Sequence, residues 1–404
     1  MKGRLLIPAL LWAAAGWAGY RPAGVTPLAV PGLPGSGVAG DPQWSPDGRA
    51  VSVEFLGGDG TSEEVYVADV VDAAAYPPRL ASAAPVVSRT AAVKDPFALR
   101  TSETATVSES LSWAPPRGRG QRVAVAATRE AVERGAPQVS FDIYVSEPGR
   151  KRFLTTSRDN DAHPAFSPDG EYLAFSSGST GQGDLYLYHF FADADPLVQV
   201  TFEAAGSEIF PAWDAKGERL AFTGHLGSSD HVYVIDDVRA LAAERDAGRR
   251  RSLARRLTRD VTPGWTASCL APSFSPDGRW VAFYSRQGST GAADLYVVPS
   301  AGGPPRRLLA DGLPELRRGP RWSPLGDGLF AVLDSAERMN PLVWVPLSGT
   351  PRELETGTQL NADPCPRRVG DAIYLLFTAQ GSAEGRQKRW RKPYVTRLVF
   401  DRGN

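Results

Sequence analysis

The chain has 404 residues, with 45 acidic and 45 basic side chains and therefore no formal net charge. Without an excess of either sign, the overall charge favours neither nucleic acid nor a membrane surface as a partner. The 41 glycines and 34 prolines, together with the lack of long helical periodicity, are typical of a protein with many short strands and turns.

The first residues have the pattern of a secretory signal peptide. Lys2 and Arg4 precede an apolar segment, Leu5–Ala15, and Gly16-Trp17-Ala18 offers small residues at the positions that signal peptidase reads. The apolar segment is too short to span a bilayer comfortably. We therefore expect residues 1–18 to be removed on export to the periplasm or the exterior of a bacterial cell, with an uncleaved membrane anchor as the alternative.

A turn motif, Ser-Pro-Asp-Gly, then occurs three times, at 45–48, 167–170 and 275–278. An aromatic residue precedes each copy, an alternating apolar strand follows it, and an Asp/Glu-x-Tyr-Val/Leu segment comes later. Proline presets φ at the first corner and glycine accepts the left-handed conformation, so each copy predicts a tight turn between antiparallel strands. A unit repeated in this way predicts a fold built from stacked copies.

Four weaker copies of the unit fill the remaining chain. They begin at Trp113, Trp213, Trp322 and near Pro364. Seven units predict an all-β fold: a single β-propeller over residues 25–400 with seven four-stranded antiparallel blades, or six blades if the last unit is only a tail. The segment 25–30 is expected to return as the outer strand of the last blade and so close the ring.

A basic insertion near residues 237–256 is predicted to be helical, because Ala, Leu, Glu and Arg favour helix and Asp236-Asp237 can cap it. A solvated helix explains this composition. The alternative is a docking patch for an acidic partner or an anionic envelope polymer, made by Arg249, Arg250, Arg251, Arg255 and Arg256. The segment 386–392, with Trp390, has the same two interpretations.

The two cysteines, Cys269 and Cys365, precede the first strands of units five and seven. An oxidising compartment permits a disulfide. Because these units are not adjacent, the sulfur atoms are expected to lie beyond bonding reach, and two free thiols are favoured over a bridge.

Residues that carry catalytic chemistry are scarce. The chain has no Gly-x-Ser-x-Gly elbow, phosphate-binding loop or His-Glu-x-x-His motif, and its four histidines are not spaced as metal ligands. Asp159-Asn160-Asp161 could offer oxygen ligands to Ca²⁺, but a capping turn is the favoured interpretation. We therefore expect no catalytic residues, no metal and no cofactor.

The unit Pro-x-Phe/Trp-Ser-Pro-Asp-Gly, followed by Asp-Leu-Tyr-Val and Arg-Leu, resembles that of the TolB-type, WD-repeat-like β-propeller family. The match is best over 164–188 and 272–297 and extends through most of 41–376. The resemblance implies a propeller fold. TolB itself is a periplasmic protein that binds a peptidoglycan-associated lipoprotein and Tol-system partners, so the resemblance also implies a periplasmic, partner-binding protein. TolB has an N-terminal α/β domain, which we expect to be absent here.

Similar propellers accompany the hydrolase domain of prolyl-oligopeptidase-type enzymes, a domain not expected here. Others, in the oligogalacturonate-lyase-like group, work through channel histidines, and the scarcity of histidine argues against that chemistry.

The sequence thus predicts an exported, non-enzymatic scaffold of the cell envelope, a monomer or a subunit of a complex, that binds a protein or peptide at the channel rim. Position in the repeat gives the rim candidates: Asp41, Glu109, His163, Phe210, Leu270, Arg317, Arg318 and Asp363. The alternative is a carbohydrate-binding or carbohydrate-active propeller. It requires carboxylates that converge in the channel with shifted pKa values, for which Glu208 and Asp363 are the first candidates.

Overall fold

The computed structural model describes residues 19–401, except for 35–36, 58–62, 74, 88–107, 117–120, 134–135, 157, 182, 193–195, 203–205, 227–228, 259–267, 287–291, 317 and 382–390. The predicted signal peptide, Arg317 and most of the segment 386–392 therefore lie outside the described residues. The described chain forms seven antiparallel sheets, which are the blades of a β-propeller. The prediction of seven blades is confirmed, and the six-blade alternative is wrong.

The first strand of the chain, β1 (Gly19–Pro27), belongs to the last blade. Blade one contains β2 (Gly37–Trp44), β3 (Ala50–Gly57), β4 (Glu63–Asp72), β5 (Arg79–Leu80) and β6 (Ala84–Pro85). Blade two contains β7 (Ser108–Trp113), β8 (Val123–Glu133), β9 (Ala136–Glu147) and β10 (Arg150–Phe153). Blade three contains β11 (Asp161–Phe166), β12 (Tyr172–Ser177), β13 (Asp184–His189) and β14 (Leu197–Gln199).

Blades four to seven follow the same order from the inside of the ring outward. Blade four contains β15 (Glu208–Trp213), β16 (Leu220–Leu226), β17 (Ser229–Ile235) and β18 (Ala254–Arg256). Blade five contains β19 (Ser268–Phe274), β20 (Trp280–Arg286), β21 (Ala293–Pro299) and β22 (Arg306–Gly312). Blade six contains β23 (Arg321–Trp322), β24 (Gly328–Val332), β25 (Leu342–Pro346) and β26 (Arg352–Glu353). Blade seven contains β27 (Thr358–Val369), β28 (Ala372–Gly381), β29 (Lys392–Asp401) and, outermost, β1.

Strand β1 closes the ring by pairing with β29, from Gly19 opposite Asp401 to Pro27 opposite Tyr394. The sequence predicted this role for the N-terminal segment but placed the strand at 25–30, which is six residues late at its start. The missed residues include Tyr20, whose buried ring packs edge-on against Trp344 of blade six, with centroids 4.7 Å apart. That contact joins distant parts of the chain, so local sequence pattern could not reveal it.

Two short helices, α1 (Val238–Ala243) and α2 (Ala247–Ser252), lie between β17 and β18. Each begins at an aspartate cap: Asp237 accepts a hydrogen bond from Ala240 N, and Asp246 accepts one from Arg249 N. Helix α2 ends at Ser252. The last part of the segment 237–256, which was predicted to be helical, therefore forms strand β18 with Arg255 and Arg256. Among the described residues, no helix has the length and apolar character needed to cross a bilayer.

The apolar core lies between neighbouring sheets, so each blade is stabilised by the next. Three clusters illustrate this with buried side chains from adjacent blades: Val65 with Leu111 and Val125, Leu185 with Phe222, and Leu295 with Leu329. Cys269 and Cys365 are both buried in this packing and are free thiols.

The Ser-Pro-Asp-Gly turns link the first and second strands of blades one, three and five. In blade one, Ser45 Oγ donates to Asp47 Oδ1 over 2.7 Å, while the same carboxylate oxygen accepts from Arg49 N. Gly48 has φ of +64°, the left-handed conformation that the motif predicts. The equivalent glycines, Gly170 and Gly278, have φ of +68° and +69°.

An arginine from the preceding blade covers each of these three turns. Its guanidinium donates to the carbonyl of the turn glycine and lies over the aromatic ring that precedes the turn, which adds a cation–π contact to the hydrogen bond. We call these groups the turn clamps. They consist of Arg122 with Gly170 and Phe166, Arg219 with Gly278 and Phe274, and Arg367 with Gly48 and Trp44.

Candidate functional site

Each innermost strand, or the segment leading into it, carries a residue with positive φ. It lies three positions before the residue that precedes the turn, which is aromatic in blades one to six and Pro366 in blade seven. The residues with positive φ are Asp41, Ser110, His163, Phe210, Ala271, Gly319 and Asp363, with φ between +42° and +68°. In every blade except the sixth, the pairing register with the second strand shifts at this point, which marks a β-bulge. Positive φ is uncommon for a residue other than glycine, and bulges redirect side chains. A conformation that recurs at the same position in all seven blades is therefore imposed by the fold.

The rim candidates among the described residues, which do not include Arg317, lie at or beside this ring of bulges. Asp41, His163, Phe210 and Asp363 occupy the positive-φ position itself. Glu109 and Leu270 are one residue earlier in β7 and β19. Arg318 directly precedes Gly319. Position in the repeat therefore located the ring, although nothing in the residue types indicated the left-handed backbone.

The structure brings part of this set together in one cavity of about 520 Å³. It lies among blade one, blade seven and the segment that connects blades five and six, and we call it the rim pocket. Its lining comes from β2 and β3 (Val38, Gly40, Asp41, Glu54, Leu56), from the segment between β22 and β23 (Leu313, Pro314, Glu315, Leu316, Arg318), and from Ala362, Asp363 and Arg391.

Buried charges of both signs face one another in the rim pocket. Arg318 Nη2 lies 2.9 Å from Asp41 Oδ2 and 3.7 Å from Glu54 Oε1. Arg321, just beneath, lies with Nε 3.4 Å from Glu315 Oε2 and with Nη2 3.8 Å from Asp41 Oδ1. Removing charges from water is costly, so such a cluster persists only where the surrounding structure holds it in place.

Asp363 and Glu315 are two acids of this cluster whose pKa values are raised. Asp363 Oδ2 accepts from Asp41 N over 3.1 Å and from Thr378 Oγ1 over 3.0 Å. Burial raises the pKa of Asp363, and the nearby Asp41 charge raises it further. Burial likewise raises the pKa of Glu315 well above its usual range, against the opposing effect of Arg321. Both environments favour the protonated acid.

His163 and Phe210 form a separate group, at blades three and four. Their rings meet edge to face with centroids 4.4 Å apart, and His163 Nδ1 lies 2.8 Å from Ser176 Oγ. Glu208 is buried nearby in blade four, where Thr201 Oγ1 donates to its Oε2 over 3.1 Å. Glu208 and Asp363 thus lie on different blades, in different clusters.

The acids that gather with Asp363 are Asp41, Glu54 and Glu315, and the last two were missed by sequence reasoning. Glu54 interrupts a buried apolar strand, β3, which is an unusual place for a carboxylate and was a usable signal. Glu315 lies in a charged segment before β23 that no repeat position identifies.

Three of the basic residues of the insertion contact other groups of the chain. Arg250 Nη1 donates to Gln199 O over 2.5 Å, and its guanidinium lies 5.0 Å from the Phe202 ring centroid. Arg251 donates to Phe202 O. Arg255 pairs with Asp236 and also donates to Ser300 O over 3.0 Å. Arg249 is largely exposed and Arg256 half-buried. Much of the predicted patch is therefore used inside the chain.

In the part of the chain that the structure describes, no three His, Cys, Asp or Glu side chains are grouped so that they could hold a metal ion. The segment Asp159-Asn160-Asp161 has a local structural role: Asn160 Oδ1 accepts from Phe141 N over 3.0 Å, and Asn160 O accepts from Gly178 N over 2.9 Å. Burial raises the pKa of Asp161 to about 6.

No protein-family model matches the chain. A TolB homolog of Chlorobium luteolum is 33% identical over 132 residues, which are 33% of this chain and 25% of that protein. The matched region thus covers about a quarter of the length of this and another TolB homolog. A crystal structure of TolB from Acinetobacter baumannii aligns with 65% of this chain and 62% of its own, at 16% identity and a TM-score of 0.41.

A prolyl endopeptidase structure aligns with 89% of this chain and 50% of its own, at 12% identity and a TM-score of 0.52. At this identity the likeness shows the propeller fold alone.

Proposed function

We propose that this TolB-type β-propeller is an exported, non-enzymatic scaffold of the bacterial envelope that binds a segment of a protein partner in the rim pocket. One observation carries the proposal: bulged residues of blades one and seven and the segment that connects blades five and six enclose a cavity of about 520 Å³. A concave site that combines apolar side chains with fixed charged groups suits an inserted segment better than a flat contact does. The relatives named TolB homolog support the same class of function.

The ion pairs of the rim pocket argue for binding rather than proton transfer. Asp41 and Glu54 both face Arg318, and Asp41 also faces Arg321. A carboxylate held by a buried guanidinium keeps its charge and its position, which helps recognition but makes it a poor carrier of protons.

Export is proposed from the signal-peptide pattern of the first residues. The described strand β1 (Gly19–Pro27) follows the predicted cleavage position, so cleavage there is compatible with its pairing in the last blade. We expect the protein purified from a periplasmic fraction to begin at Gly19 by mass spectrometry. Protein that keeps residues 1–18 in a membrane fraction would favour the anchor instead.

The binding site is tested with Leu56→Glu, which adds a charge to a pocket side chain that is 37% exposed. The matched control is Leu325→Glu, at a side chain that is 52% exposed in the turn between β23 and β24. Crosslinking in envelope extracts should recover a defined partner with the wild type and the control, and roughly tenfold less with the pocket variant, as for an interface side chain that contributes more than most. Equal recovery with both variants would reject the rim pocket as the binding site.

A second candidate function is a carbohydrate-binding or carbohydrate-active propeller, favoured by the meeting of Asp41, Glu315 and Asp363 in one pocket. Glycoside hydrolysis needs a protonated acid and an ionised carboxylate within reach of the same bond. Calorimetry with peptidoglycan and envelope oligosaccharides, together with a reducing-sugar assay, tests it. Sugar release that Asp363→Asn abolishes would replace the scaffold proposal, whereas the scaffold predicts none.

A further inference from the structure

Glu315 has an oxygen atom that the fold leaves without a partner. Its side chain lines the rim pocket and is only 8% exposed. Oε2 faces Arg321 Nε over 3.4 Å, but the buried Oε1 has no hydrogen-bond partner among the described residues. An unmet buried acceptor is costly, and a native fold tends to keep one where a ligand satisfies it.

Acidic side chains outnumber basic ones among the described residues around this oxygen. Four carboxylates and two guanidiniums line the pocket, and a third guanidinium pairs with two of these carboxylates. The carboxylates belong to Asp41, Glu54, Glu315 and Asp363, and the guanidiniums to Arg318, Arg391 and Arg321. Burial favours protonated Glu315 and Asp363 in the empty pocket, so the acids outweigh the three guanidiniums only when a bound cation displaces those protons.

The rest of the wall is apolar. Val38, Leu56, Leu313 and Leu316 line the same cavity as Glu315. Such a surface can cover the methylene groups of a long side chain while its charged end reaches a buried acceptor.

We propose that the rim pocket binds a primary ammonium group carried on an apolar chain, as in a lysine side chain, with Glu315 Oε1 as its acceptor. Only one oxygen of this carboxylate lacks a partner among the described residues, because the other faces Arg321. A guanidinium needs both oxygens for its two parallel hydrogen bonds, whereas an ammonium is a point charge that one oxygen can serve. This inference rests on the proposed function, since it names the chemistry of the partner segment.

The groups around Glu315 set how binding depends on pH. Burial raises its pKa, Arg321 lowers it, and Asp363 and Asp41 raise it again. Tyr284 is a further titratable neighbour. It is fully buried and hydrogen-bonded to the backbone of Glu315, and burial and the Glu315 charge raise its pKa. In the empty pocket the protonated acid is therefore favoured, and an arriving ammonium displaces that proton. Because lysine stays charged up to about pH 10, affinity should rise as the pH is raised from 5 to 9.

Titration calorimetry with four small probes tests the inference. Nα-acetyl-lysine amide carries only a side-chain ammonium, and leucine amide carries only an α-ammonium. Nα-acetyl-norleucine amide has the chain without the charge, and Nα-acetyl-arginine amide has a guanidinium. We expect the lysine probe to bind about tenfold more tightly than the norleucine probe and more tightly than the arginine probe. Tighter binding of leucine amide would identify a partner N-terminus as the source of the ammonium.

Glu315→Gln should reduce affinity for the lysine probe about tenfold and remove its rise with pH. Glutamine keeps the shape and can still accept from Arg321, so the pocket should persist. Glu208→Gln, another buried glutamate, lies in blade four and should leave the affinity unchanged. Equal binding of the lysine and norleucine probes, tighter binding of the arginine probe, or no detectable lysine binding would overturn the inference.

The two proposals fail in different ways. If Glu315→Gln recovers the protein partner as well as the wild type while Leu56→Glu does not, the ammonium inference is wrong and the scaffold proposal stands. If Leu56→Glu recovers the partner normally, the binding site itself is wrong.

Discussion

Arginine is used differently in the turn clamps and in the rim pocket. In a turn clamp, the guanidinium donates to a carbonyl and lies over an aromatic ring, as Arg219 does with Gly278 O, over 2.7 Å, and the Phe274 ring. In the rim pocket, Arg318 and Arg321 face carboxylates instead. Both arrangements join neighbouring blades, but only the turn clamp is repeated.

Repetition separates what holds the ring together from what makes this ring specific. A contact that recurs three times around a propeller solves a problem that every blade shares, namely how to fix one sheet on the next. A cluster that occurs at one blade junction, with four acids and an unpartnered Glu315 oxygen, is not needed by the other junctions. We infer that the clamps serve folding and that the rim pocket serves recognition.

The strongest test of this division is Gly48→Ala in the clamp of blade one. A Cβ atom there would lie 1.5 Å from Arg367 Cζ, and the backbone is left-handed, with φ of +64°. Urea unfolding followed by tryptophan fluorescence should show a loss of about 3 kcal/mol, from backbone strain together with loss of the clamp.

Gly149→Ala separates the two causes. Gly149 has φ of +76°, but a Cβ atom there would meet nothing within 4 Å. It should cost only about 1 kcal/mol, the price of left-handed strain. Equal losses for the two variants would show that the clamp contributes nothing.

The next test removes a clamp arginine while keeping its bulk. Arg219→Met loses hydrogen bonds to Gly278 O and Ser300 Oγ, of 2.7 and 3.0 Å, and leaves Asp214 without its guanidinium partner. We expect a loss of about 2 kcal/mol in the same unfolding measurement, with binding at the rim pocket unchanged.

Arg279→Met is the matched control, because Arg279 is 80% exposed and its guanidinium pairs with Asp277 at the surface. Its effect should stay below about 0.5 kcal/mol. A drop in partner recovery for Arg219→Met would contradict the division between folding and recognition.

The repeat made the fold predictable and left most of the site unpredictable. Proline, aspartate and glycine in fixed order specify a turn through their own backbone preferences, so Gly48 could be assigned its conformation from sequence. The conformation of the bulges could not be predicted, because the residues that adopt positive φ there include Asp41, His163 and Phe210, which have no strong preference for it. The packing of the ring imposes that conformation.

The acids of the pocket show the same limit. Asp363 was found because it stands at a repeat position, whereas Glu315 belongs to a segment between β22 and β23 outside the repeat. Glu315 lies close to Asp41 because blade seven closes against blade one. The two residues are more than 250 positions apart in the chain, so only the closed ring brings them together.

The smallest expected effect concerns pH, and it should have opposite signs in the two regions. In the turn of blade five, a hydrogen bond from Ser275 lowers the pKa of Asp277 to about 2, and Arg279 N and its guanidinium add to this. A lowered pKa stabilises the fold above the unfolded value near 4, and this stability is lost as the pH falls toward 2. Because the Asp277 side chain is 38% exposed, solvent screening limits the effect to about 1 kcal/mol.

Glu315 should show the reverse trend, because its pKa is raised by burial. The fold then binds a proton that the unfolded chain releases above about pH 4.5, so this glutamate disfavours folding increasingly as the pH rises. Asp277→Asn should therefore lower stability at pH 6 but not at pH 2, whereas Glu315→Gln should gain stability relative to the wild type between pH 5 and pH 8. Urea midpoints measured across this range decide the matter. Parallel pH profiles for the two variants would mean that the turn and the pocket hold their carboxylates in the same way, and the contrast between the two regions would fail.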